Sequence, residues 1–399
     1  MANEESQNPE NNRSWANLPV EILRVIRNKL QSSTLIRFRA VCKRWSQTGN
    51  EKRRISNLPW PIVNTCKRRL TEKLPRFIMK HEFYDPHEGK THQTYFEIPE
   101  SSSYLAYNSD LQYNSRVLAS KKGWVLVEEE SPVSRIINLY NPFVNDVIPL
   151  PGTFCHEVDA ANFSGSPTSP DCVFFMSFHC NRGRTHIGTY RFADEDWIWS
   201  TYAVPVLGRE DDVDKVVIKS MVYNEGEAML YFVFQDGTLG SFDFLEKKWN
   251  IFWGTEFDHP IESVHLVEAK GEILLATCIV NQEEDNRTRR GIKYDCHWNV
   301  YWFDRSCWSW VSQWLEGWTL FVSDASFLLP TSEVGEDLDG CVCYFFRNMY
   351  WRIYSLRDEW YILPESLGWN AVEGSVIEES SKAEVGRKYL WIEPPYTES

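Results

Sequence analysis

A spaced aromatic pattern is the feature that most constrains the fold of this chain. In four places an aromatic or apolar residue stands seven positions before a tryptophan; the pairs are Tyr190 and Trp197, Phe242 and Trp249, Tyr301 and Trp308, and Ile353 and Trp360. A fifth copy, Tyr140 to Val147, has valine in place of tryptophan. The anchors are separated by 50, 52, 59 and 52 residues. A strand, a turn of about four residues and a second strand fit this spacing, which predicts the outer hairpin of a repeated β-unit.

Turns that contain glycine precede the apolar strands of these units. The glycines are Gly123, Gly226, Gly271 and Gly340. Asp236-Gly237 is a further dipeptide typical of a type I′ hairpin turn. These signals, together with β-rich runs beyond residue 80, predict that the larger part of the chain is all-β.

The period of the pattern predicts the architecture. Four-stranded units that repeat every ~40 to 50 residues are typical of a β-propeller, in which radial closure leaves only short edges. Residues 81–399 divided by the mean spacing of 53 predict about six blades. Large aromatic rings fill the space between packed sheets. We therefore expect equivalent, largely buried positions for the four repeat tryptophans, Trp197, Trp249, Trp308 and Trp360.

Charge is divided unevenly along the chain. The whole sequence holds 42 Lys or Arg and 56 Asp or Glu, a net charge of −14. Residues 1–80 hold 17 basic and 6 acidic residues, whereas residues 81–399 hold 25 and 50. Such asymmetry indicates two modules with different partners.

The composition excludes several classes of protein. Hydrophobic residues make up 43% and aromatic residues 15% of the chain, which excludes global disorder. No run of ~18 apolar residues occurs, so we expect no membrane partner, and residues 1–13 lack the apolar region of a secretion signal. The ten cysteines include no Cys-x-x-Cys pair, which argues against a zinc site and a disulfide framework. We expect a cytoplasmic or nuclear protein, or both, with no metal or cofactor.

The N-terminal segment from Trp15 to Gln47 has helical spacing. Asn17 is a candidate N-cap and Pro19 suits the first turn, which predicts the first of three short helices. A unit below ~40 residues rarely buries enough surface to be stable alone. Its apolar positions exceed the needs of so small a core, so some are expected to face another protein.

The residues of this segment resemble a known motif. Leu18-Pro19-x-Glu21-Ile22-Leu23, Arg37-Phe38-Arg39 and Val41-Cys42-Lys43-x-Trp45 are similar to the F-box, the adaptor-binding motif of Skp1–cullin–F-box ubiquitin ligases. The resemblance implies that Trp45 closes the helical bundle. It also implies an adaptor-binding set of Leu18, Pro19, Ile22, Leu23, Ile26, Leu35, Val41, Cys42 and Trp45.

The order of the two modules extends the resemblance. An F-box followed by Gly123-Trp124, Asn141-Pro142 and the terminal Leu390-Trp391-Ile392 is similar to plant F-box proteins with a kelch-like or DUF295-type C-terminal domain. The domains expected are a disordered N-terminus at 1–13, an F-box at 14–50, a linker helix region at 51–74 and a β-propeller-like substrate-binding domain at 75–399. The resemblance implies a substrate-recognition subunit without catalytic residues, which binds a Skp1-like adaptor, through it a cullin ligase, and an unknown target protein.

Other interpretations of the helical segment stay open. It could be an amphipathic bundle packed on the rest of the chain. Arg37, Arg39, Lys43 and Arg44 could form a nucleic-acid surface, although an acidic protein partner explains the same charge. The basic triplets at 52–54 and 67–69 have the spacing of a bipartite nuclear import signal, but solvated helix faces would give the same pattern.

Other interpretations also remain for the C-terminal domain. It could be a non-degradative interaction domain, an aromatic cage for a cationic ligand, or an enzyme with central carboxylates. His179, Cys180 and His186 could bind a metal, although a hydrogen-bonded hairpin explains them equally well. The polar segment Asn281 to Arg290 falls in the longest interval between anchors and is expected to be an exposed loop that contributes to target binding.

Overall fold

The structure is a computed structural model that covers the whole chain. The part of the chain that it describes comprises residues 15, 18–29, 38, 41–45, 59–69, 77–85, 90–97, 115–130, 135–143, 146–151, 158–179, 184–193, 199–205, 217–252, 261–284, 292–312, 314–346, 350–362 and 390–392. Within these residues, no helix combines the length and apolar character needed to cross a membrane. The expected disordered segment at 1–13 lies outside the described residues.

A small helical unit lies within residues 1–55. Its described helix is α1 (Val20–Lys29), and residues 43–45 are also helical. The first turn of α1 is closed by the Leu23 N–H, which donates to the Pro19 carbonyl at 3.0 Å. Pro19 therefore precedes the helix instead of lying inside its first turn. Glu21 places a negative charge in the first turn, where the helix dipole favours it.

A second unit contains the β-sheets and begins with three antiparallel strands. They are β1 (Trp60–Arg69), β2 (Phe77–Asp85) and β3 (Lys90–Glu97). The prediction of a linker helix region at 51–74 is therefore wrong for Trp60–Arg69. The physical reason is pairing with β2, from Ile62 opposite Phe83 to Arg69 opposite Phe77, which decides the conformation of a segment whose own pattern is ambiguous.

Five blades follow, each formed by one continuous stretch of chain. Blade 1 contains β4 (Ser115–Lys121), β5 (Trp124–Glu130), β6 (Arg135–Asn141) and β7 (Asp146–Pro149). Blade 2 contains β8 (Val158–Phe163), β9 (Val173–His179), β10 (Thr185–Arg191) and β11 (Ser200–Ala203). Blade 3 contains β12 (Ile218–Asn224), β13 (Met229–Phe234), β14 (Leu239–Asp243) and β15 (Lys248–Phe252).

Blades 4 and 5 complete this series. Blade 4 contains β16 (Ser263–Ala269), β17 (Glu272–Glu284), β18 (Ile292–Asp304) and β19 (Ser309–Ser312). Blade 5 contains β20 (Trp318–Val322), β21 (Phe327–Pro330), β22 (Cys341–Phe346), β23 (Tyr350–Ser355) and β24 (Trp360–Ile362). Blades 1 to 4 are antiparallel meanders, whereas β20 and β22 of blade 5 run parallel. The short helix α2 (Thr331–Val334) and a 3-10 helix, Glu336–Leu338, lie in the connection between β21 and β22.

The last described strand, β25 (Leu390–Ile392), pairs with β1, and Trp60 lies opposite Ile392. The resulting closing sheet has the order β25-β1-β2-β3. The sequence predicts about six blades, but only five are built from consecutive strands. The closing sheet is different because its first strand, β25, comes from the far end of the chain. A pairing between such distant segments produces no local repeat in the sequence from which it could be predicted.

The blades are arranged around inner strands that lie side by side. β4 lies beside β8, β8 beside β12, and β12 beside β16. The middle strands are buried on both faces; six successive residues of β9, Val173 to Phe178, are buried. Burial of both faces explains why such strands have continuous apolar runs instead of alternating patterns. The prediction of a β-propeller architecture is confirmed.

Two of the predicted glycine turns are type I′ hairpins. Lys122 and Gly123 have φ of 51° and 80°, and Lys270 and Gly271 have φ of 52° and 85°. The same prediction is wrong for Asp236-Gly237, where only the glycine has positive φ. There the Asp236 carboxylate accepts the Thr238 N–H at 2.9 Å, which stabilises a longer turn.

The polar segment at 281–290 begins inside a strand. β17 and β18 pair from Leu274 opposite Trp302 to Glu284 opposite Ile292. The prediction of a loop is therefore wrong for residues 281–284, because strand pairing satisfies their backbone. Residues 285–290 lie outside the described residues.

Candidate protein-binding surfaces

The helical unit has a core of three aromatic or aliphatic side chains. Leu23, Phe38 and Trp45 are buried together, and Leu18, Ile26 and Cys42 pack against them. The Phe38 and Trp45 ring centroids are 4.6 Å apart. The Trp45 indole N–H donates to the Trp15 carbonyl at 3.1 Å, so the ring is fixed by packing and by one polar contact.

Three large apolar side chains of the same unit are exposed and do not join this core. Trp15 is 71% exposed, Ile22 is 46% exposed and Val41 is 53% exposed. Pro19 is also exposed. Large apolar side chains on so small a unit form a surface that another protein can cover.

The described members of the predicted adaptor-binding set therefore divide into three groups. Pro19, Ile22 and Val41 are exposed, Leu23 and Trp45 are buried, and the rest are partly buried, namely Leu18, Ile26 and Cys42. A fully buried Leu23 cannot contact a partner directly in this conformation. Its side chain instead packs against Phe38 and Trp45 in the core of the helical unit. Leu35 lies outside the described residues.

Part of the predicted basic surface is described. Lys43 and Arg44 are exposed next to Val41, while Arg37, Arg39 and the triplet at 52–54 lie outside the described residues. The second triplet, Lys67 to Arg69, forms the end of β1 and not a helix face.

The repeat tryptophans of the propeller are not equivalent. Phe242 lies opposite Trp249, and their ring centroids are 4.1 Å apart. In blade 4, Phe303 occupies the same place and lies opposite Trp310, not Trp308. Trp308 instead ends the turn, with positive φ of 53°.

The prediction of burial fails at the same residue. Trp308 is 54% exposed, whereas Trp310 is 7% exposed. Trp249 is half-buried, and Trp360 lies opposite Ser355, one position earlier than Trp249 within its hairpin. Trp197 lies outside the described residues.

In the structure an aromatic ring on the third strand of a blade contacts a tryptophan on, or directly before, the fourth strand; the pairs are Tyr190–Trp199, Phe242–Trp249 and Phe303–Trp310. The sequence pattern identified the pair in blade 3 but missed the pairs in blades 2 and 4. The signal that could have found the pair in blade 4 is the aspartate that opens the turn. Asp243 and Asp304 each accept a backbone N–H two residues on, which fixes where the turn begins.

Two of these tryptophans also join neighbouring blades. The Trp199 indole N–H donates to the Pro151 carbonyl at 3.1 Å, and the Trp310 indole N–H donates to the Gly237 carbonyl at 3.3 Å. Both contacts are buried, where an unsatisfied indole would be costly. The outer strands of blades 2 and 4 are therefore anchored to the blades before them.

A polar network joins blades 3 and 4. The Arg305 guanidinium contacts the carboxylates of Glu227 at 2.9 Å and Glu272 at 2.8 Å, and donates to the Gly271 carbonyl at 2.9 Å. The Tyr231 hydroxyl donates to Glu227 at 2.5 Å. Burial and this hydrogen bond raise the pKa of Tyr231 to about 12. Each charged group of the network lies within contact distance of an opposite charge. The network therefore has a structural role, which is to join blades 3 and 4.

The described arrangement closest to catalytic geometry lies in blade 2. His179 Nδ1 is 2.6 Å from Asp159 Oδ2, and His179 Nε2 is 3.0 Å from the Thr185 hydroxyl. Thr185 is buried, so its hydroxyl cannot reach a substrate. The arrangement holds β8, β9 and β10 together instead of presenting a nucleophile.

The alternative metal site at His179, Cys180 and His186 is not formed by its described histidines. His179 lies opposite Thr185, so the adjacent His186 points to the other face of the sheet, where its ring is parallel to that of Phe178 at 5.9 Å. Cys180 lies outside the described residues. A search of the described residues finds no group of three metal-ligating side chains.

One buried carboxylate has a shifted pKa. Burial raises the pKa of Glu128, while Arg116 and Arg135 partly oppose the shift. The distances to the two guanidinium groups are 3.4 Å and 3.0 Å. This ion cluster pairs strands β4, β5 and β6 at one end of blade 1, which is a structural role.

The propeller also has an exposed apolar row on its rim. Trp308, Val311 and Trp314 are exposed within seven consecutive residues on and next to β19. Leu245 is a separate exposed apolar residue in the equivalent turn of blade 3. The described chain therefore has two candidate protein-binding surfaces, one on the helical unit and one on the rim of blade 4.

Comparison with protein families agrees with the two units. The sequence model of the F-box domain matches residues 15–54, and that of the KIB1-4 β-propeller matches residues 83–362. The second match covers β4 to β24, while β1 and β25 of the closing sheet lie outside it. The resemblance to plant F-box proteins with a propeller domain is confirmed.

Several Arabidopsis thaliana proteins are similar to this chain. F-box protein At3g56470 is 26% identical over 66% of this chain and 63% of its own length. F-box/kelch-repeat protein At1g57790 is 27% identical over 59% of this chain and 58% of its length, and F-box protein At4g00893 is 27% identical over 67% and 63%. The chain spans about three fifths of the length of the curated relatives it matches. With its family match across the five blades, this chain belongs to the KIB1-4 β-propeller family and carries an F-box domain at its N-terminal side.

Proposed function

We propose that this protein is the substrate-recognition subunit of a Skp1–cullin–F-box ubiquitin ligase. The helical unit binds a Skp1-like adaptor, and the propeller binds a target protein. The protein has no catalytic step of its own in this proposal. It acts by proximity, because tethering raises the effective concentration of the target's lysines at the ligase.

One observation carries the proposal. Ile22 and Val41 are about half exposed in a unit whose own core contains Leu23, Phe38 and Trp45. Full burial of an Ile or Val side chain stabilises by roughly 1.5–3 kcal/mol, and about half of each side chain is still exposed, so an adaptor that covers both gains roughly 1.5–3 kcal/mol in total. Exposed Lys43 and Arg44 beside Val41 suit an acidic partner.

The propeller suits the second role because contacts within the chain make it a rigid scaffold. Its blades are joined by buried indole hydrogen bonds and by the Arg305 network. A rigid scaffold of this kind can position a target without a change of shape. Asp159 and His179 form a hydrogen-bonded chain with the Thr185 hydroxyl, which is buried away from any substrate, and this supports a binding domain over an enzyme.

We also propose that the closing sheet completes the propeller as a sixth blade. Trp391 of β25 packs against Phe321 and Phe345 of blade 5, at 5.3 Å and 4.7 Å between ring centroids. β25 also lies beside β4 of blade 1. Pairing of β25 with β1 would then close the ring, and deletion of residues 390–392 should lower the midpoint of thermal unfolding sharply.

The adaptor role is tested by calorimetry with the full chain and a purified Skp1-like adaptor. Replacing Ile22 with Asp is expected to weaken binding by at least about 30-fold, since a buried charge without a partner costs more than the lost apolar contact. Leu245→Asp is the matched control, because it makes the same change at an exposed apolar position of the propeller. Its affinity for the adaptor should equal that of the unmodified chain.

Two results would count against the proposal. Equal weakening by both variants would indicate a general loss of folding, and undiminished binding by Ile22→Asp would remove the helical unit as the adaptor surface. Adaptor binding without transfer of ubiquitin to any captured protein, in a reconstituted ligase, would assign the protein to non-degradative interactions.

A further inference from the structure

The rim of blade 4 has exposed apolar side chains on both faces of β19, whose outer edge has no neighbouring strand among the described residues. We call Trp308, Val311 and Trp314 the β19 strip. β19 is the last strand in the order β16-β17-β18-β19, so its outer edge has no neighbouring strand within the sheet. An open edge is a template for an added strand from another chain. The outer strands of blades 2 and 3 also end their sheets, but their exposed strand residues are mainly polar.

Both tryptophans of the β19 strip have fixed surroundings. The Trp308 ring is parallel to the Phe252 ring, with centroids 4.6 Å apart. Trp314 is 62% exposed, and the adjacent Leu315 is buried in the core between blades 4 and 5. Aromatic side chains that are held in place yet exposed lose little freedom on binding and are typical interface anchors.

The turn that contains Trp308 does not require a tryptophan. The equivalent positions of blades 3 and 5 are Lys247 and Glu359, which have the same positive φ near 50°. A bulky residue in this region is strained, and glycine or asparagine is the local preference. Trp308 therefore places a half-exposed ring at a backbone position that disfavours a bulky residue. Since the turn does not need this ring, a role in binding at its exposed face explains it.

Carboxylates lie at both ends of the β19 strip. Asp304 opens the turn before Trp308, and Glu316 follows Trp314. The Asp339 carboxylate accepts the Gly317 N–H at 2.7 Å, which places the exposed Glu336 and Asp337 close to the Trp314 end.

The two described arginines in this area are already paired with carboxylates, while the Lys270 ammonium lies over the Trp318 ring at 4.7 Å. The Arg305 guanidinium contacts Glu227 and Glu272, and the Arg357 guanidinium lies 3.7 Å from Asp339. The flanks of the β19 strip therefore favour a positively charged partner. The excess of acidic residues over the whole of 81–399 acts in the same direction.

We propose that the β19 strip binds an extended, basic segment of the target protein by strand addition. Backbone groups of the segment pair with the edge of β19. Its side chains on one face of the sheet contact Val311, those on the other face contact Trp308, and its end reaches Trp314. Its Lys or Arg residues face the flanking carboxylates. The strip selects segments rich in Lys or Arg, because the carboxylates of an acidic segment would be repelled by the flanking carboxylates. The target role rests on the proposed function, but the binding itself requires no adaptor.

The test uses the full chain and two fluorescein-labelled peptides, Lys-Val-Lys-Val-Lys-Val-Lys and the same peptide with Glu in place of Lys. Fluorescence anisotropy should show saturable binding of the lysine peptide only, weaker at high salt. Trp314→Ser and Val311→Thr should each weaken it at least about tenfold, the loss expected of an interface anchor. Leu245→Ser is the matched control and should bind like the unmodified chain.

Trp308→Gly separates binding from folding. Glycine suits the positive φ, so this variant should unfold at no lower temperature while it binds the lysine peptide more weakly. Ile22→Asp, which removes the adaptor surface, should leave peptide binding unchanged, so failure of the adaptor proposal and failure of this one are distinguishable.

Three outcomes would overturn the inference. They are equal binding of both peptides, no binding of the lysine peptide, and equal binding by the unmodified chain and Trp314→Ser. A concentration-dependent dimer that Val311→Thr abolishes would also overturn it, because it would assign the strip to a second copy of this chain.

Discussion

The helical unit and the propeller use apolar residues in opposite ways. In the helical unit the described core consists of Leu23, Phe38 and Trp45, while Ile22 and Val41 remain on the surface. In blade 3 nearly every large apolar side chain of β12 and β13 is buried between sheets. The described part of the first unit leaves large apolar side chains exposed, whereas the described strands of blade 3 bury theirs. Exposure of large apolar side chains therefore carries more functional information than their number.

The contacts that stabilise the two units differ in the same way. The helical unit has one described indole hydrogen bond, from Trp45 to the Trp15 carbonyl. The propeller has indole bonds between blades and an ion network around Arg305. Loss of one contact should therefore unfold the helical unit locally but lower the stability of the propeller as a whole.

The largest effect is expected in the propeller, at Trp310. Trp310→Ala should lower the free energy of unfolding by about 3–5 kcal/mol, because it leaves a cavity beside Phe303 and an unsatisfied Gly237 carbonyl. Trp308→Ala is the matched change two residues away and should cost less than about 1 kcal/mol. Chemical denaturation of both variants measures the difference. Equal losses of unfolding free energy in the two variants would contradict the assignment of Trp310, and not Trp308, as the equivalent of Trp249.

A smaller, local effect is expected at Leu23. Leu23→Ala should destabilise the helical unit by about 2–5 kcal/mol, enough to open α1, while the propeller keeps its unfolding midpoint. Trypsin cleavage within α1, at Arg24, Arg27 or Lys29, reports the opening. Ile22→Ala is the control and should leave cleavage nearly unchanged. A lowered propeller midpoint in Leu23→Ala would break the distinction between the two units.

The smallest effect concerns packing within blade 3. A Cβ at Gly240 would overlap the ring of Phe232 on the neighbouring strand, so Gly240→Ala should cost about 1–3 kcal/mol. Gly165, in blade 2, has open space around its Cα, and Gly165→Ala should be close to neutral. Thermal unfolding of the two variants provides the comparison. Equal stability would mean that blade 3 is less tightly packed than described.

The sequence predicted the architecture because its signals were local. The period of the aromatic pattern and the turn glycines Gly123 and Gly271 identify hairpins without knowledge of distant residues. The predicted strand register was wrong in blade 4, where two tryptophans, Trp308 and Trp310, lie two positions apart. Only the strand opposite, with Phe303 facing Trp310, decides which of them is buried.

Long-range pairing accounts for the remaining errors. β1 has a mixed basic and apolar pattern that is compatible with a helix, and its strand neighbour Ile392 lies at the far end of the chain. In the same way, the exposure of Ile22 beside the buried Leu23 depends on where Phe38 and Trp45 pack, which helical spacing does not specify. The motif resemblance named the adaptor-binding set but could not divide it into contact and support residues.

The central claim is that the exposed apolar face of the helical unit binds an adaptor while the propeller remains unchanged. Hydrogen exchange of the full chain, with and without a purified Skp1-like adaptor, tests this claim most directly. The account predicts slower exchange in α1, Val20–Lys29, and at residues 41–45, with no change in β12 to β15 of blade 3. Protection in the propeller strands with none in α1 would contradict it.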